Sequence, residues 1–199
     1  NAPGGQIHVL AGTGGGRVLG AQLDNQGTVT LAQALTLNGS SAAHRNSGTI
    51  TLSGGDFIVN QSGNTPSFTT TGTMDIPSGR TFTVSGGTFH YDAGTVGGAG
   101  TLNLSSTTAN FTPNFSTATT RLRLAGTTLN GPGRVTNAVG QTLNTDSSTL
   151  NAALVNQGLL VFRGSGNNLG GSFENRAGAT VRVLGDGTFD HATVNVALG

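Results

Sequence analysis

Arg121 and Arg123 are separated by one residue, Leu122. On a β-strand such a pair projects from one face, and two guanidinium groups side by side suit bidentate recognition of carboxylate or sulfate. Asn103 and Asn144, one repeat before and one after, would extend this donor patch, and Arg182 lies further along the same series. Asp186 and Asp190 beside His191 read as a local carboxylate pair, expected in a turn. Glycoside hydrolysis needs two acids a few ångströms apart, and the remaining acids do not coincide in strand position from one repeat to the next, so no catalytic residue is assigned. Gly185-Asp186-Gly187-Thr188-Phe189-Asp190 approaches a calcium-binding nonapeptide but brings its second Asp one residue late. His8, His44, His90 and His191 are too dispersed for metal-ligand spacing, and there is no cysteine. Neither a metal nor a cofactor is expected. Ala11-Gly12-Thr13-Gly14-Gly15-Gly16-Arg17 lacks the third Gly of the dinucleotide fingerprint and the Gly-Lys-Ser/Thr of the phosphate loop, and it reads as a glycine-rich corner.

The elements that would position these groups are short. The chain has 34 Gly, 9% charged residues and 34% hydrophobic residues, a composition unlike charge-rich disordered or helical chains. A net charge of +1, scattered Arg, no Trp and a single Tyr exclude a nucleic-acid-binding patch. No run approaches the roughly 18 apolar residues of a membrane span.

Apolar residues at i and i+2 recur as Ile7/Val9, Val29/Leu31, Ile50/Leu52, Phe82/Val84, Leu102/Leu104, Leu122/Leu124, Leu143/Thr145, Leu160/Phe162 and Val181/Val183. The starts lie 22, 21, 32, 20, 20, 21, 17 and 21 residues apart, which is the signature of stacked repeats. Further apolar positions follow each pair by about seven and about thirteen residues, such as Phe57 or Leu129 and then Val96 or Phe115. Three inward positions per period predict an all-β solenoid with three short strands and about 20 residues per coil, roughly nine coils in all. Residues 1–199 would form a single β-solenoid domain.

Asn25-Gln26-Gly27, Asn46-Ser47-Gly48 and Asn156-Gln157-Gly158 precede strands, and Asn137 and Asn175 stand three residues before Gly140 and Gly178. These read as corners in which Asn and Gly adopt positive φ, or as stacked amide ladders. The 32-residue interval from Ile50 to Phe82 leaves two readings, an insertion looping out over residues 60–71 or a third strand displaced to Phe68 or Met74. Outward positions of the pairs form a threonine ladder (Thr28/Thr30, Thr49/Thr51, Thr81/Thr83) interrupted by Arg121, Arg123, Leu159, Val161 and Arg182. Thr-x-Thr rows suggest ice binding, but these interruptions break the uniform flatness that role needs.

Leu23-Asp-Asn-Gln-Gly-Thr-Val-Thr-Leu31, Asn46-Ser-Gly-Thr-Ile-Thr-Leu52 and Val155-Asn-Gln-Gly-Leu-Leu-Val-Phe162 resemble the repeats of filamentous-haemagglutinin-like exoproteins and autotransporter passenger domains. The resemblance runs through nearly the whole chain and is one of repeat style. It implies a right-handed parallel β-helix, secreted or on the bacterial cell surface, acting as an adhesin or structural rod with an extracellular glycan or protein surface as partner. The Asn-Pro-Asn-Gly motif of the exoprotein secretion domain is missing. A polysaccharide-processing or tailspike-like enzyme is the alternative. The next strand pair would fall near position 202, so a longer array or end-to-end self-association is expected.

Overall fold

The computed structural model describes residues 1–184, and the regular structure of that span is short β-strand in parallel pairing. The strands wind into a β-solenoid of about nine turns with about 21 residues per turn, three strands to a turn. The second face is unbroken, nine strands from Arg17–Leu19 to Thr180–Leu184. The third face has eight, from Asp24–Asn25 to Asn168–Leu169. The first face is in two pieces: five strands from Gln6–Val9 to Thr95–Gly97, then four from Phe115–Ser116 to Phe173–Asn175.

Alternation along each strand fills the interior. In Arg121–Ala125, Leu122 and Leu124 are buried while Arg121 and Arg123 are exposed. Stacked turns place Leu35, Phe57, Phe82, Leu102 and Leu122 in one inward column, and Leu37, Val59, Val84, Leu104 and Leu124 in the next. Midway, rings take over the core. Phe57 stacks on Phe82 at 5.1 Å, and edge contacts carry the series through Phe89 and Phe111. Each such buried side chain contributes about 1.5–3 kcal/mol by transfer from water.

The interval of 32 residues proves to be a change of face. Ile50 pairs in register with Met74, not Phe82, and Met74 pairs with Val96. Phe82 belongs to the second face, between Phe57 and Leu102. The recurring pairs therefore stack as two columns and not one, Val29–Ile50–Met74–Val96 on the first face and the Phe82 series on the second. Nor do residues 60–71 loop from the rod: Ser67–Thr70 is a strand of the third face with Phe68 fully buried. Only Met74 marks that turn's first-face strand, and a thioether between Thr73 and Asp75 carries a weaker strand signal than a β-branched pair. The threonine ladder divides in the same way. Thr28, Thr49, Thr73 and Thr95 line the first face, and Thr81 and Thr101 the second.

Stacked amides form at the corners. Asn1 Nδ2 donates to Asn25 Oδ1 at 2.7 Å, Asn25 to Asn46 at 2.8 Å, and Asn46 to the Thr70 hydroxyl at 3.2 Å. A second ladder begins with the Thr117 hydroxyl donating to Asn137 Oδ1 and continues through Asn156 to Asn175 at 2.7 Å per step. The amides also donate to backbone carbonyls further along the chain, as Asn156 does to Thr180 at 3.1 Å. The neighbouring glycines answer to close approach. Gly27 and Gly48 lack positive φ, but a Cβ on Gly48 would lie 2.0 Å from the Gly27 carbonyl oxygen. Gly140 and Gly178 do take positive φ, 74° and 79°.

His44 is a buried titratable group of the third face, 1% exposed and packed against Phe68. The Leu23 N–H donates to its Nδ1 at 3.1 Å, so the ring must be neutral, and burial lowers its pKa from 6.5. An unfolded His44 binds its proton near pH 6.5 and the folded one does so only lower. Stability is therefore full above about pH 6.5 and falls as pH drops from there towards the folded pKa. Urea midpoints at pH 7.5 and 5.5 should differ by less in His44→Leu than in the parent chain; equal differences would contradict the neutral buried ring. For the ladders, Asn156→Ala strips the buried Asn137 and the half-buried Asn175 of a partner and should cost about 3 kcal/mol, whereas Asn130→Ala on the partly exposed outer surface should cost under about 1 kcal/mol by urea titration. Equal costs would contradict a structural role for the buried ladder.

Candidate functional site

The second face is unlike the others in charge. Across its five strands from Thr101–Ser105 to Thr180–Leu184 the ionised groups are Arg121, Arg123, Arg163, Arg182 and one carboxylate, Asp146. With a net charge of +1 over the whole chain, the positive field is concentrated here. The register sets the order: Asn103, Arg123, Asn144, Val161 and Arg182 occupy successive rungs of one outward row. Arg121 continues the row of Thr101.

Arg123, Asn144, Asp146 and Arg163 line an open groove of about 330 Å³. Asp146 and Arg163 sit on adjacent rungs, yet they form no ion pair. Among the described residues the ion pair is Arg176 with Glu174, at 2.8 Å on the exposed first face. The Asp146 carboxylate accepts from the Ser147 hydroxyl at 3.3 Å. The guanidinium groups of Arg121, Arg123 and Arg163 make no hydrogen bond or ion pair to any described residue. The Asn144 amide is half-buried in the groove wall.

The expected patch is thus partly redrawn. Arg121, Arg123 and Asn144 are brought together. Asn103 is not a free donor: its Nδ2 donates to the Thr83 hydroxyl at 3.3 Å, and its Oδ1 is buried without a partner. Arg182 lies three rungs beyond Arg123, about 14 Å at 4.8 Å per rung, and does not line the groove. Arg163 and Asp146 were missed. Each stands three residues after the first apolar residue of its pair, Leu160 and Leu143, so matching offsets for unlike charges, and not for acids alone, would have found them. Asp186, Asp190 and His191 lie outside the described residues. Elsewhere the register partners Asp24 with Arg45, Asp75 with Thr51 and Gly97, and Glu174 with Val155. No two described carboxylates are rung neighbours. The Arg17 guanidinium folds back to donate to the Gly15 carbonyl, closing the glycine-rich corner on itself.

The third face carries an outward ladder that sequence reasoning also missed. Asn151 donates to Asn130 and Asn130 to Asn110, each at 2.9 Å, and Asn110 contacts His90 Nδ1 at 3.4 Å. Its signal was available in the recurrence of Asn at 20- and 21-residue spacing. It is uncharged and regular, and it stiffens the face.

No family model matches the chain, and no curated protein or solved structure is significantly similar to it.

Proposed function

We propose that this chain is a binding rod of an exported surface or extracellular protein, of the filamentous-haemagglutinin or autotransporter-passenger type, whose second face holds an acidic glycan. The observation that carries the reading is the pair of unengaged guanidinium groups, Arg123 and Arg163, across a groove of about 330 Å³, with Arg121 alongside. Planar guanidinium donors match carboxylate and sulfate oxygens two at a time, and a groove running along stacked rungs suits an extended polymer. Asn144 and Asp146 offer an amide and a carboxylate to sugar hydroxyls, so the face can read a polyhydroxylated anion and not charge alone. The rigid stack supports this role, because a site built on strands keeps its geometry without ordering a loop. The repeat style of the Asn-x-Gly phrases supports the family and the adhesin role.

Binding of oligogalacturonate and heparin fragments, with dextran as the neutral comparator, tests the reading by calorimetry. The acidic chains should bind in a salt-dependent way, and the neutral one should show no salt-dependent binding. Affinity should fall steeply between 50 and 300 mM salt, since exposed charges are screened within about 10 Å at roughly 0.1 M. Arg121→Ala with Arg123→Ala should weaken binding at least tenfold. Acidic-glycan binding indifferent to both salt and the double substitution would overturn the site.

A further inference from the structure

The first face is open where its two pieces meet. On one side of the gap the Thr112 N–H donates to the Tyr91 carbonyl at 2.9 Å, and on the other the Thr120 hydroxyl donates to the Gly98 carbonyl at 2.8 Å. Between these two bonds no ladder joins Thr95–Gly97 to Phe115–Ser116, and a cleft of about 370 Å³ opens to solvent. Its inner wall is made by Tyr91, Val96 and Phe115, all at most 7% exposed. Its rim is polar and exposed: Thr95, Asn114, Ser116 and Thr119. Nothing ionised lines it. The Tyr91 hydroxyl is already engaged, donating to the Gly94 carbonyl at 3.1 Å.

The second observation is Gly97. It occupies the outward row of Thr51 and Asp75, where a side chain is the rule. Its φ is not positive, and a Cβ built on it meets nothing within 4 Å, so neither backbone conformation nor packing requires glycine there. Gly97 lines the cleft and leaves that part of its wall without a side chain. Its neighbour Gly98 differs, with φ of 98° and a Cβ that would strike the Ile76 carbonyl oxygen.

We infer that this cleft is a second binding site, for a neutral saccharide unit. An apolar wall inside a ring of three hydroxyls and one amide complements a pyranose, which has an apolar C–H face and a belt of hydroxyls. Thr95, Asn114 and Ser116 each make one bond within the protein, to Thr73, the Arg134 N–H and the Ala118 N–H, and a purely apolar ligand would desolvate their remaining donors and acceptors, while a charged one would find no counter-charge. The inference is independent of the arginine face, which lies on the second face and selects anions.

Gly97→Leu provides the test, because it adds bulk at a residue that lines the cleft, from an unstrained strand position, and favours the strand conformation over glycine. The probes are cellotetraose, maltotetraose and mannotetraose, read by saturation-transfer NMR and calorimetry, with a neutral tetrapeptide as the competing class. At least one neutral saccharide should bind, with an affinity that salt leaves unchanged. Gly97→Leu, at an unaltered thermal midpoint, should weaken it at least tenfold, and Arg121→Ala with Arg123→Ala should leave it intact. Absence of binding by all three saccharides, binding that Gly97→Leu does not alter, or binding of the peptide alone would overturn the assignment.

Discussion

Along each sheet of the described residues the strands lie in register on the ones before them, so a paired side chain meets its own counterpart about 4.8 Å away. That constraint decides what the interior can contain. Apolar residues stack on apolar residues at no electrostatic cost. A carboxamide can stack on itself because it donates at one end and accepts at the other, and the Asn137–Asn156–Asn175 series does so inside the wall. An ionised group cannot, since its neighbour would repel it, and no Arg, Asp or Glu is buried among the described residues. His44 meets the same rule by remaining neutral and accepting the Leu23 N–H.

The same constraint explains what could be read from the residues. The period, the three strands per turn and the inward series were legible because hydrophobic burial repeats itself along the chain. The stacked Asn residues were legible too, and the choice between turn former and ladder was settled by distance, which no spacing supplies. The change of face at Met74 was hidden. The strand that keeps the first face continuous holds one apolar residue between Thr73 and Asp75, while the prominent pair Phe82/Val84 has moved eight residues on, to the next face. A reading by pattern follows the strong pair and jumps faces. The two Asn ladders record the same shift. The first precedes first-face strands such as Thr49–Thr51, and the second precedes second-face strands such as Leu159–Arg163. Between them the corner position is taken by Tyr91 and Phe111, and there the first face parts.

Function follows from register on the outside as order does within. Groups distant in sequence, Arg123 and Arg163 above all, become neighbours because the turns carrying them are stacked. Since outward positions carry little of the folding energy, the arginine face and the bare backbone at Gly97 are places where chemistry is free to vary without disturbing the core. The two grooves differ accordingly. One gathers positive charge on an unbroken sheet, and the other gathers none where a sheet is interrupted.

The register itself is open to direct measurement, because the chain has no native cysteine. In-register neighbours on adjacent strands have Cα atoms close enough for a disulfide, which needs about 4.4–6.8 Å. Thr49 and Thr73 are such neighbours on the first face, whereas Thr81 lies on the second. Under mild oxidation Thr49→Cys with Thr73→Cys should close an intramolecular disulfide in the folded monomer, and Thr49→Cys with Thr81→Cys should keep both thiols free. Cross-linking of 49 to 81 but not to 73 would contradict the change of face and the placement of every residue built on it.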